Sequence, residues 1–237
     1  MTPSDILYED NHLIIVNKQA GEIVQGDKTG DICMAESLKA FIKERDCKPG
    51  NVFCGVIHRL DRPVSGVCIF AKTGKALSRM NELVKSRAFQ KTYWAVTKPD
   101  HTHVNPSGHL EDWLLRNEKQ NKSYVVPPNT SGAKLASLDY RELATSQGGY
   151  HLIEVDLHTG RHHQIRCQLA HAGMVIKGDL KYGAPRSNSD ASISLHARRV
   201  SFEHPVSHLT ILVEAPPPQE FVKLFDCCRQ NQPPIQQ

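Results

Sequence analysis

The chain of 237 residues is predicted to be an α+β protein, with a mixed, largely antiparallel sheet flanked by helices. Two segments, residues 135–143 and 150–157, read as strands around Gly148-Gly149, which is a hairpin signal. Other strand-like segments are joined through helical patterns, so hairpin-linked and helix-linked pairs coexist. No glycine-rich phosphate loop follows a strand, which argues against a dinucleotide-binding or P-loop enzyme. Hydrophobic residues make up 39% and charged residues 23%, the balance of a globular protein long enough for one large core or two fused halves.

The elements follow in order. Residues 13–16 are a short apolar run that reads as a buried strand leading into Asn17-Lys18. Residues 37–45 form an amphipathic helix with Leu38, Phe41 and Ile42 on one face. Residues 53–60 and 66–71 read as strands separated by Asp61-Arg62-Pro63, where the proline blocks pairing and marks a turn. Thr73 caps a helix that runs to about residue 86, with Leu77, Met80, Leu83 and Val84 as its apolar stripe. Residues 91–97 alternate as a strand. The polar stretch 116–134, with Pro127-Pro128 and Gly132, reads as a loop or hairpin excursion. After Thr159-Gly160 a helix is expected over 161–172, stopped by Gly173. One domain over 6–226 is expected, and the Gln/Pro-rich residues 227–237 are expected to form a disordered tail.

The formal net charge of +4 permits a polyanionic partner without demanding one. The N-terminus lacks the basic-then-apolar pattern of a signal peptide, and no apolar run is long enough to span a bilayer. A cytoplasmic protein without membrane contact is therefore expected. The seven cysteines contain no Cys-x-x-Cys pair, so reduced, mostly buried thiols are expected, and neither a zinc ribbon nor a disulfide scaffold.

Three clusters could carry chemistry. In His58-Arg59-Leu60-Asp61, an extended backbone puts Arg59 and Asp61 on one face and offers a carboxylate at a strand end. From spacing alone, a surface ion pair with a turn-forming Asp is the commoner arrangement. In Gly160-Arg161-His162-His163-Gln164-Ile165-Arg166, Arg166 falls at the edge of an apolar helical stripe, where a carboxylate partner would let it be buried. Adjacent His162 and His163 would point apart on a helix, so no metal site is expected there. In Lys91-Thr92-Tyr93-Trp94, a strand sends Tyr93 and Trp94 to opposite faces, one to the core and one free to face a cleft.

In this order the clusters resemble the RluA family of RNA pseudouridine synthases. Residues 58–66, HRLDRPVSG, resemble that family's H-R-L-D-x-x-T-S-G signature. Residues 160–166, GRHHQIR, resemble G-R-x-H-Q-[IL]-R, and residues 178–183, GDLKYG, resemble G-D-x-x-Y-G. The opening Leu7-Tyr8-Glu9-Asp10 through Val16-Asn17-Lys18, and Leu195-His196-Ala197 near the end, fit as well. Two departures stand out: Val64 replaces a threonine, and Cys167-Gln168 replaces Val-His. The small N-terminal RNA-binding domain of some relatives is not expected here, so the catalytic domain would bind RNA itself.

The resemblance implies a pseudouridine synthase-like fold and the conversion of specific uridines in ribosomal or transfer RNA to pseudouridine, by a monomer with no cofactor and no metal. It implies Asp61 as the carboxylate acting at the sugar, Arg166 as the arginine that keeps it ionised, and Tyr93 against the target base. Leu195 is expected on the other face of the base, and Arg59 in the gap left by the flipped nucleotide. Arg161, Lys177, Lys181 and Arg186 are expected to form a phosphate-binding rim. Three rivals remain. An RNA-binding protein without catalysis is disfavoured by Asp61, Tyr93 and Arg166 together. An RNA N-glycosidase of the usual kind needs a second carboxylate. A metal-dependent hydrolase needs a ligand cluster.

Overall fold

A computed structural model of the chain describes residues 5–26, 30–99 and 105–231. Along the chain run β1 (Ile6–Glu9), β2 (Leu13–Lys18), α1 (Met34–Arg45), β3 (Gly55–Val56), β4 (Ser65–Ala71) and α2 (Gly74–Lys85). Then follow β5 (Gln90–Pro99), β6 (Ser107–Asn117), β7 (Lys122–Val126), β8 (Lys134–Thr145), β9 (His151–Leu157), α3 (Gln164–His171) and β10 (Met174–Ile176). β11 (Leu195–Glu203), β12 (Thr210–Glu214) and α4 (Gln219–Leu224) complete the set. The chain divides into two compact units, Met1–Phe89 with Ala197–Ala215, and Gln90–His196 with Pro216–Gln237.

In the first unit the strand order is β1-β2-β4-β11, with β3 on β4 and β12 on β11. β2 and β4 are antiparallel, Leu13 opposite Ala71 through Lys18 opposite Gly66. Both are apolar and buried along nearly their whole length. α2 packs Ala76 and Met80 against Ile15, Ile69, Phe89 and Phe202. Thr73 is its N-cap as the sequence predicts, its hydroxyl accepting from the Ala76 N–H at 3.2 Å.

The second unit has the order β5-β9-β8-β6-β7, with β10 on β5 and every described pairing antiparallel. The β8–β9 hairpin forms where Gly148-Gly149 marks it, Gly149 having a φ of +70°. α4 lays Phe221 against Trp94, Val96 and Leu152.

Three expectations change, and the loop-or-hairpin alternative at 116–134 resolves to one of its two forms. Only Gly55–Val56 of residues 53–60 pairs with β4. Beyond them the His58 ring takes the place of backbone, its Nε2 facing the Ile69 N–H at 3.3 Å. The alternation that put Arg59 and Asp61 on one strand face therefore has no strand beneath it. The excursion at 116–134 is a hairpin, its first arm being the end of the long strand β6 and its second β7. α3 starts at Gln164, because His163 is left-handed at φ 53° and cannot belong to the helix. Finally, Asp226–Asn231 is a 3₁₀ turn with Cys228 fully buried, so ordered chain continues past the expected start of the tail. Residues 232–237 lie outside those described.

Candidate active site

In the first unit, β2 ends in a fully buried lysine. The Lys18 ammonium donates to the carbonyls of Val64 at 2.6 Å, Gln19 at 3.0 Å and Arg62 at 3.1 Å. Two of those carbonyls belong to the turn that follows Asp61, closed by the Val64 N–H on the Asp61 carbonyl at 3.0 Å. The Gly21 N–H adds a bond to the Arg62 carbonyl at 2.8 Å. A buried ammonium with three acceptors is satisfied, though burial still pushes its pKa down from 10.5 to about 8. Asp61 itself is half-buried and Arg59 is exposed. Val64, the residue that departs from the family pattern, is buried and gives Lys18 its shortest contact.

In the second unit, Tyr93 and Trp94 do project to opposite faces of β5. Trp94 joins the α4 cluster and donates to Glu154 Oε2 at 3.1 Å. Tyr93 is buried on the other face, level with Val155 of β9. Lys91, one turn of pleat earlier on the same face as Tyr93, lies close to Gly160: a Cβ at Gly160 would come within 3.4 Å of its ammonium. Desolvation lowers the Lys91 pKa.

The segment after Gly160 is tied to itself. Gln164 Oε1 accepts from the Thr159 hydroxyl at 2.7 Å and from the Arg161 N–H at 3.0 Å. The left-handed His163 brings its ring onto that of His162, with centroids 3.8 Å apart. They stack rather than diverge, because the pair precedes the helix instead of lying on it. One turn into α3, Arg166 is buried and meets the buried Asp179 side-on. Its Nε donates to Oδ2 at 2.7 Å and its Nη2 to Oδ1 at 2.9 Å. Tyr182 lies under the guanidinium, 5.2 Å from ring centroid to Cζ, and its hydroxyl bridges to the Ser123 backbone. The GRHHQIR and GDLKYG motifs therefore converge on one buried ion pair.

The family model for RNA pseudouridylate synthase matches residues 12–171. An uncharacterised RNA pseudouridine synthase of Synechocystis is 32% identical over 234 residues, which span 98% of this chain and 71% of that protein. The chain belongs to the RluA family of RNA pseudouridine synthases. This synthase is also 30% identical over 245 residues to ribosomal large subunit pseudouridine synthase D of Xylella fastidiosa, across 97% of this chain and 70% of that one. Its fold matches human RNA pseudouridylate synthase domain containing 4 with a TM-score of 0.78 at 24% identity, over 95% of this chain and 93% of that one. It is an RNA-modifying isomerase, and no described helix is long and apolar enough to cross a membrane.

The basic residues expected at the rim of the synthase differ in their engagements. Arg161 donates to the Leu135 carbonyl at 2.9 Å, and Lys181 to the Asn121 carbonyl at 3.0 Å. Lys177 is held by Asn188 at 2.6 Å and Glu220 at 3.2 Å. Arg186 is exposed beside Lys98 on a cavity of about 600 Å³ that Tyr150 and Lys177 also line. Leu195 opens β11 and is buried.

Sequence reasoning named Lys18, Lys91 and Asp179 within its motifs but gave none of them a role. Asp179 was visible as the acid of GDLKYG, but nothing in its spacing names Arg166 as its partner. The second departure from the family pattern, Cys167-Gln168, has a structural setting. Gln168 is fully buried and donates to Asp112 Oδ2 at 2.7 Å, fastening α3 to β6. Cys167 lies against Leu114 and Ala136.

Proposed function

We propose that Asp61 is the carboxylate acting at the sugar of a uridine in ribosomal or transfer RNA, with Tyr93 and Arg166 completing the catalytic set. The reaction is an internal exchange of bonds. C1′–N1 breaks, the freed uracil turns, and C5 bonds to C1′. The C5 hydrogen leaves as a proton, and N1 gains one. Nothing from outside is consumed, so the chemistry asks for an ionised carboxylate, a shaped pocket for the base and a path for one proton.

The observation that carries this reading is the anchoring of the turn after Asp61 by Lys18. A carboxylate on a turn fixed at two carbonyls keeps its position while the base rotates, and displacement or elimination at C1′ depends steeply on such orientation. The order of the motifs supports the partners. Arg166 gives two N–H groups to Asp179, and a guanidinium has five, so it has donors beyond that pair. Tyr93 would lie against the target base and Leu195 on its far side. Arg59, exposed just ahead of Asp61, would fill the stack of a nucleotide flipped out at a cost of a few kcal/mol. Ribosomal RNA is the first substrate to try, given the relative named as a ribosomal large subunit pseudouridine synthase.

The experiment is tritium release from unmodified RNA carrying [5-³H]uridine, with wild type, Asp61→Ala and Asp61→Asn. Wild type should release tritium, and both variants should fall by roughly 10³-fold or more, about 4 kcal/mol of transition-state stabilisation. Equal release by wild type and variants would remove Asp61 from the mechanism. Free uracil as the main product would replace isomerisation with N-glycoside hydrolysis.

A further inference from the structure

Three strands of the second unit bring two histidines and a carboxylate to one spot on an exposed sheet face, outside the residues argued above. His109 on β6 stands in register with Asp139 on β8, and His158 is the first residue after β9. Asp139 gives one oxygen to each ring: Oδ1 is 2.6 Å from His109 Nδ1, and Oδ2 is 2.7 Å from His158 Nε2. The ligand atoms of all three residues lie within 4.8 Å of one another. The side chains are 52%, 52% and 44% exposed in the order His109, Asp139, His158, so an ion from solvent can reach them.

The same strand row carries a second carboxylate. Register puts Asp156 of β9 directly opposite Asp139, and both are exposed. Register partners project from one face of an antiparallel pair, and like charges directly opposite destabilise it. Asp156 accepts from the Thr92 hydroxyl at 2.7 Å, which satisfies an oxygen but cancels no charge. Arg141 on β8 acts on Asp156 electrostatically, and a divalent cation beside Asp139 would add to that compensation.

We propose that His109, Asp139 and His158 form a binding site for a divalent transition-metal ion, Zn²⁺ above others, with water completing the coordination and Asp156 adding negative charge alongside. Two imidazole nitrogens and one carboxylate oxygen suit Zn²⁺, Co²⁺ or Ni²⁺, whereas Mg²⁺ and Ca²⁺ take oxygen ligands. Metal–ligand distances of about 2.0–2.2 Å set ligand atoms roughly 3.3 Å apart in a tetrahedron. Each ring therefore backs away from its Asp139 oxygen by less than about 1 Å, while ligand atoms as much as 4.8 Å apart close by up to about 1.5 Å, movements open to exposed side chains. The ion replaces the two ring–carboxylate hydrogen bonds, leaving the remaining ring protons on His109 Nε2 and His158 Nδ1. Bound there, it ties β6 and β8 to the residue that precedes Thr159-Gly160, the start of the GRHHQIR segment. Its role is a clamp on that segment, with no part in the bond exchange at uridine.

The test is calorimetric titration of the tag-free full chain with Zn²⁺ alone, with Co²⁺ read by its visible absorption. One ion per chain is expected. His109→Ala, His158→Ala and Asp139→Asn should each weaken binding at least tenfold, whereas His208→Ala, a change at an exposed histidine in the first unit, should leave it unchanged. Zn²⁺ should raise the unfolding midpoint of the wild type and not of the three cluster variants. All three positions are on the surface, so circular dichroism should show the variants folded. Equal affinity in wild type and cluster variants would place the ion elsewhere and overturn the proposal. Absence of binding to folded wild type at millimolar Zn²⁺ would overturn it too, leaving a hydrogen-bonded surface network only.

Discussion

Lys18 holds an ammonium where no solvent reaches, and three carbonyls take its protons. Lys18→Met keeps the length and loses the donors, leaving the Val64 carbonyl short of its partner and the Arg62 carbonyl with the Gly21 N–H alone. A loss of about 2 kcal/mol in urea unfolding at pH 7 is expected, along with a fall in kcat of about tenfold as the Asp61 turn loosens. KM for RNA should change little. Burial lowers the lysine pKa from 10.5 to about 8. Between those values the unfolded chain keeps a proton that the folded chain has released. The contribution of this group to stability therefore rises with pH across that window and is flat below it. The destabilisation by Lys18→Met should accordingly grow between pH 8 and 10; a constant or shrinking difference would contradict a buried, desolvated lysine. In the sequence, Asn17-Lys18 is visible as a motif, but a lysine at a strand end reads as a solvated charge. What makes it structural is a turn more than forty residues away. Asp179 was illegible for the same reason. Its partner Arg166 is found only once α3 and the GDLKYG turn have folded onto one another.

Elements were legible where their own side chains decide the pairing. β2 and β4 carry long apolar runs and form as read, and the glycines of the β8–β9 turn fix that hairpin. β6 was passed over because Asp112 sits where its alternation calls for an apolar residue. That carboxylate is met by Gln168 from α3, a tertiary partner no local pattern contains. Residues 53–60 failed in the opposite sense: strand-like in composition, they give β4 a histidine ring in place of a backbone group. At the join of β4 to β11 the constraint is steric. Gly66 has a φ of +114°, and a Cβ there would lie 2.3 Å from the Ala197 carbonyl oxygen and 2.6 Å from its nitrogen. Backbone cannot give way as a flexible side chain can. Gly66→Ala should cost more than about 4 kcal/mol, or yield insoluble protein, by forcing β4 away from β11. Gly74→Ala, in the first turn of α2 with nothing within 4 Å of the added carbon, should instead gain roughly 0.5–1 kcal/mol. Urea midpoints for the pair separate the two outcomes, and a tolerated Gly66→Ala would mean the strands are not packed as closely as described.

At the scale of the whole molecule, a net charge of +4 says little about how RNA is held, because the sum hides which cations are already engaged. Arg161, Lys181 and Lys177 each donate to protein oxygen. For Lys177 the partners include the Glu220 carboxylate, so moving it to a phosphate means breaking an ion pair with α4. Arg186 has no such bond among the described residues and stands exposed with Lys98 on a cavity that Tyr150 also lines. Phosphate contacts release counterions, and each contributes about −0.7 to −0.9 to the slope of log affinity against log salt. Arg186→Gln and Lys98→Gln should therefore each weaken RNA binding and flatten that slope by nearly one contact, with kcat at saturating RNA unchanged. Lys177→Met should behave differently, lowering the unfolding midpoint through the lost bonds to Asn188 Oδ1 and Glu220 Oε2 while moving the salt slope less. Filter binding across a series of salt concentrations, set beside thermal unfolding of the same variants, distinguishes the two groups. If Lys177→Met flattens the slope as much as Arg186→Gln, the Lys177–Glu220 pair opens when RNA arrives, and the rim is wider than Arg186 and Lys98 alone.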